Sequence, residues 1–97
     1  MISEGPLSLA ERARLQPVLK RFPQERATLL RLFRESSSFQ SLCDDYWDCL
    51  TALRHWEQSA SGEAPALAKA YVELLRELEE EVRQFLEDAQ AYRVGSP

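Results

Sequence analysis

One stretch, Phe39 to Trp56, limits more than any other what this chain can fold into. On an α-helix at about 100° per residue, Phe39, Leu42, Cys43, Tyr46, Trp47, Cys49, Leu50, Leu53 and Trp56 share one arc about 180° wide. The opposite half takes Gln40, Ser41, Asp44, Asp45, Asp48, Thr51 and His55, with Ala52 as the one apolar exception. A helix packed on a single neighbour shows a narrower stripe, about 100° or a little more. The segment is therefore expected to lie between two neighbours, or between one neighbour and a partner chain.

The rest of the composition agrees with a helical reading. Three glycines and five prolines in 97 residues leave little material for the turns of a β-sandwich, and the strong helix formers Ala, Leu, Glu, Arg and Gln dominate. The expected fold class is all-α, as a single domain over 1–97 with one core and with 1–6 and 94–97 frayed. No run approaches the ~20 apolar residues of a membrane span, and the N-terminus lacks the apolar region of a secretory signal. A cytoplasmic protein with two reduced cysteines is expected. Net charge is −4, unevenly spread: residues 1–35 hold seven basic side chains against four acidic, and residues 36–97 hold five against twelve. Such a chain is repelled overall by phosphate, so no nucleic acid is expected. The basic N-terminal part should instead pack near the acidic C-terminal helix, within the chain or in a dimer.

Taken in order, Ser8 with Glu11 reads as a capping box opening a helix over 8–22, with Leu15, Val18, Leu19 and Phe22 on one face. Pro17 should kink or restart that helix. Pro23 ends it and opens a second, 24–35, whose apolar face is Leu29, Leu30, Leu32 and Phe33. Ser37 or Ser38 should cap the central helix, 38–59. After the loop Ser59 to Ala64, Pro65 begins a last helix, 65–93, with an apolar line through Leu67, Tyr71, Leu74, Leu78, Val82, Phe85, Ala89 and Tyr92. The spacing averages near 3.6 residues, as in a straight or weakly supercoiled helix with coiled-coil character. Its outer face offers Arg76–Glu80, Glu79–Arg83 and Arg83–Glu87 as i, i+4 pairs. The short connection predicts an antiparallel hairpin, 38–59 against 65–93, with the shorter helices folded over it. The second arm should overhang the first by about 10 Å, to be covered by the N-terminal helices or by another subunit.

Phe22-Pro23, Arg31-Leu32, Phe39 with Leu42, Tyr46, Leu53 and Glu57 resemble the pattern of the YdcH-like family of short bacterial helical proteins, over about residues 22–86. The resemblance implies a helical hairpin with coiled-coil character and no catalytic residue. Residues 1–21 have no counterpart in it, and Trp47, Cys43 and Cys49 lie outside the shared pattern.

Candidate chemistry is sparse. Cys43 and Cys49, six residues apart on one helix, are too far apart for an intrahelical disulfide and read as small core residues. Asp44, Asp48 and His55 share a polar ridge but read as solvated, and no metal is expected. Glu77 with Glu79, Glu80 and Glu81 reads as a wet helix face. With one histidine, no Gly-rich phosphate loop and no Cys-x-x-Cys, no enzyme activity, cofactor or small-molecule substrate is expected. Trp47 and Trp56 lie at opposite flanks of the central arc, and if Leu29, Leu32 and Phe33 cover only one flank, the other faces a partner. The candidate interface residues are Trp47, Trp56, Tyr46, Phe39, Phe33 and Tyr92. The sequence thus points to a non-enzymatic interaction protein, self-associating or docking a partner helix as an adaptor or assembly factor. The competing expectation is a thiol-based redox sensor acting through Cys43 or Cys49.

Overall fold

The computed structural model describes residues 7–95, with side chains as far as Ala91. Of the fraying expected at 1–6 and 94–97, residues 1–6, 96 and 97 fall outside the described residues, as does the side chain of Tyr92, while 94 and 95 continue the last helix. Among the described residues four α-helices follow one another: α1 (Leu9–Arg21), α2 (Arg26–Glu35), α3 (Ser37–Glu57) and α4 (Ala64–Gly95). No strand occurs among the described residues, and none of the helices is long and apolar enough to cross a membrane.

Local chemistry explains each boundary. At the start of α1, Ser8 Oγ accepts the Glu11 amide at 3.1 Å while Glu11 Oε1 accepts the Ser8 amide at 2.8 Å. Two amides that lack helical partners are thereby satisfied reciprocally. The helix then runs through Pro17 without restarting, contrary to one of the two sequence expectations. Leu15, Val18 and Leu19 lie buried on either side of that proline, so tertiary packing holds a turn that propensity alone would weaken. Pro23 opens a single 3-10 turn, Pro23–Glu25, before α2 begins.

A single serine joins the next two helices. The Ser36 amide donates to the Leu32 carbonyl at 2.9 Å, ending α2, and Ser36 Oγ accepts the Phe39 amide at 3.1 Å, opening α3. The cap is thus Ser36 rather than Ser37 or Ser38, because α2 extends to Glu35 and leaves only one residue between the helices. Gln40 Nε2 adds a 2.6 Å bond to the Phe33 carbonyl, satisfying another acceptor at the end of α2. Beyond α3, Ser59 Oγ and Ser61 Oγ accept the amides of Ser61 and Glu63, which holds the loop by local bonds. Pro65 takes the second position of α4, where a missing amide costs nothing.

The two long helices pack antiparallel. Phe39 meets Phe85 edge to face at 5.2 Å, Tyr46 reaches Glu79, and Cys49 reaches Tyr71, so positions fall along α4 as they rise along α3. Helices α1 and α2 lie on other faces of α3, and α2 also touches α4. The wide apolar arc of α3 is filled from two sides by its own chain: Leu15, Val18, Leu19, Leu29 and Phe33 on one, Leu78, Val82 and Leu86 on the other. The stripe of α4 is shifted from the expected line. Leu86 is buried and Leu75 partly so, whereas Leu74 stays 41% exposed. Past Leu86 the side chains from Glu87 to Ala91 are mostly exposed, so the overhang is covered only as far as α2 reaches.

Charge follows the same architecture. Arg14 pairs with Asp44 at 2.9 Å and Arg21 with Glu79 at 3.1 Å, each joining basic α1 to the acidic half of the chain. Neither i, i+4 partner expected for Arg83 is used. It bonds Glu80 at 3.2 Å instead, while Glu79 is taken by Arg21 and Tyr46.

A candidate docking groove

Between α1 and α3 the surface opens into a groove of about 530 Å³. Its floor is Pro17 from α1 with Tyr46, Trp47 and Leu50 from α3, all buried or partly buried. Its rim is Ala13, Gln16, Lys20 and Arg21 on one side and Arg54 on the other, all exposed. The groove exists because the buried face of α1, with Leu15, Val18 and Leu19, is turned towards the common core. The flank of α1 bearing Pro17 and Lys20 then stands beside α3 with no further helix across it among the described residues.

The walls are fixed rather than loose. Arg14, next to Ala13, ties α1 to α3 through Asp44. The Tyr46 hydroxyl donates to Glu79 Oε2 at 2.9 Å, and Arg21 Nε donates to the same oxygen at 3.1 Å. Phe22 at the end of α1 lies beneath the guanidinium groups of Arg21 and Arg83, at 5.2 and 5.6 Å from its ring centre. Burial, with the hydrogen bond to Glu79 next, pushes the Tyr46 phenol well above its ordinary range, so it is a donor at any ordinary pH.

The groove is also polarised. Lys20, Arg21 and Arg54 line it and no carboxylate does. Of these, only Arg21 has an ion-pair partner among the described residues. Another, smaller hollow of about 330 Å³ lies on the other flank of α3, against α4. It has the reverse character, with Asp45 and Asp48 above Tyr71 and Leu74.

The aromatic candidates separate into distinct surroundings. Phe33, Phe39 and Tyr46 are 3%, 0% and 4% exposed and belong to the core, so they support the groove or the fold without presenting a surface. Trp47 is partly buried in the groove floor. Trp56 is partly buried near the end of α3, edge-on to His55 at 4.9 Å, and takes no part in the groove. The surface that the structure assembles around Trp47 also uses Pro17, Lys20, Leu50 and Arg54, none of which the sequence nominated as an interface residue. Ala13, Gln16, Pro17 and Lys20 recur at helical spacing, a signal that attention to the apolar face alone passes over.

Both thiols are enclosed. Cys43 is fully buried, and burial, reinforced by Asp44, pushes its thiol up to about 12. Cys49 is 3% exposed, is raised by burial, and its Sγ donates to the Tyr71 carbonyl at 3.4 Å. Comparison with protein-family models, with curated proteins and with solved structures finds no match for this chain.

Proposed function

We propose that this is a non-enzymatic helical interaction protein whose working surface is the groove between α1 and α3. The observation that supports the reading is a preformed groove floored by Pro17, Trp47 and Leu50, bordered by two helices and not filled by any of the described residues. Two helices side by side present the kind of concavity into which a third helix packs. Tryptophan on such a floor offers a large anchor at small entropic cost, as at the centres of protein interfaces. The occupant is a helix from a partner protein or from a second copy. Self-association was first suggested by the breadth of the α3 arc. The fold fills most of that breadth from within, and the open strip at Trp47 is what now favours association. The likeness to YdcH-like hairpins over about residues 22–86 fits the pairing of α3 with α4 and brings no activity with it.

The thiol-sensor reading draws little support from the surroundings of Cys43 and Cys49. A sensor thiol is accessible and partly ionised at neutral pH, and these two are buried and raised.

The test is capture of helical partners on immobilised protein, with and without Trp47→Asp, beside sedimentation at micromolar concentration. The variant should keep its helicity and lose capture or association. A Trp47→Asp protein that binds as well as its parent would remove the reading.

A further inference from the structure

Building on the docking reading, we infer that the groove's occupant is an amphipathic helix from another protein whose apolar anchors are flanked by acidic side chains. Charge is the first ground. The chain carries −4 overall, yet the groove collects Lys20, Arg21 and Arg54 and no carboxylate. Arg21 is occupied by Glu79, whereas Lys20 and Arg54 have no ion-pair partner among the described residues. They stand on opposite rims, one on α1 and one on α3, where they would flank a docked helix on both sides.

The shape of the groove selects a helix over an extended segment. Helices build both walls, so apart from the Ala13 carbonyl, which Pro17 leaves without an amide, their backbone groups are already bonded and no sheet edge is offered. An extended peptide would bury its own amides against Pro17, Trp47 and Leu50 without partners, whereas a helix satisfies them internally. From Tyr46 to Arg54 the α3 wall rises about 12 Å, which accommodates about two turns and anchors at i, i+3 or i+4, and i+7.

A second copy is the weaker occupant. The acidic side of this chain, at Asp45 and Asp48 beside α4, offers Leu74 as its exposed large apolar residue, 41% exposed. One such anchor fills little of a channel of about 530 Å³. The acidic and basic flanks also lie on opposite sides of α3, so their pairing between copies would be heterologous and would not close into a dimer.

The experiment uses the full chain carrying Trp56→Phe, so that fluorescence reports Trp47 alone. The probes are three synthetic helical peptides of about 18 residues with the same leucine anchors, flanked by Glu, Gln or Lys. The Glu-flanked peptide should shift Trp47 emission saturably, bind at least about tenfold more tightly than the Lys-flanked one, and weaken with added salt. Combining Lys20→Glu with Arg54→Glu should reverse that order, with circular dichroism confirming an intact fold. If the Gln- or Lys-flanked peptide binds as well or better, or the double reversal leaves the order unchanged, the acidic assignment is overturned while helix docking stands. If none of the three binds, helix docking fails with it. Self-association that sedimentation detects and the double reversal disperses would overturn the proposal in favour of a second copy.

Discussion

Phe39 is the largest fully buried side chain among the described residues. It stacks edge-on against Phe85 and sits where α2 hands over to α3. Phe39→Ala removes that ring from a packed interior and is expected to cost about 3–5 kcal/mol, read from urea unfolding. A loss below about 1 kcal/mol would mean the junction collapses around the gap and is not a rigid core. The thiol of Cys43 makes a pH-dependent contribution of known sign. Burial lifts it from 9.0 to about 12, so between those values the unfolded chain has lost a proton that the folded chain keeps. The contribution is whole below about pH 9 and is lost as pH rises towards 12, with Tyr46 adding in the same direction at higher pH. The urea midpoint should therefore fall between about pH 8 and about pH 10.5, and fall less in Cys43→Ala. A midpoint indifferent to alkali in the parent protein would contradict the buried placement.

Among the helices, α3 was the most legible and its borders the least. Its length and two-sided burial follow directly from the spacing of Phe39, Leu42, Cys43, Tyr46, Cys49 and Leu53. Which of three consecutive serines caps it did not follow, because capping chemistry is the same for each. The choice was made by where α2 stops, and that is a tertiary fact. Ser36→Ala should cost about 1 kcal/mol, while Ser38→Ala should change stability by a few tenths. Equal effects at both positions would show that the end of α2 does not select the cap. Of the two outcomes open at Pro17, the restart fails for a related reason. The local rule allowed a kink or a restart, and with Leu15, Val18 and Leu19 buried around it the helix continues without a restart. Pro17→Ala supplies the missing amide to α1 and should raise stability by up to about 3 kcal/mol. The shift of the α4 stripe from Leu74 towards Leu75 and Leu86 could not be read locally either, since both lines have helical spacing and only the tertiary packing of α4, chiefly on α3, distinguishes them.

At the level of the whole molecule the hairpin and its covering helices make an elongated body, 56 × 31 × 21 Å, with a radius of gyration of 15.6 Å. A compact chain of this size has about 13 Å. The difference reflects α4, which continues past its partners. Charge segregation along the sequence became short-range pairing in space through Arg14–Asp44 and Arg21–Glu79, leaving Lys20 and Arg54 beside Trp47. The groove was invisible in the sequence because it belongs to two helices whose mutual angle no periodicity reports. Its most direct test is a map of backbone amide shifts during titration with the Glu-flanked helical peptide. The account predicts changes concentrated between Ala13 and Arg21 and between Tyr46 and Arg54. Changes centred on Leu74 and the outer face of α4, or none at saturating peptide, would contradict it.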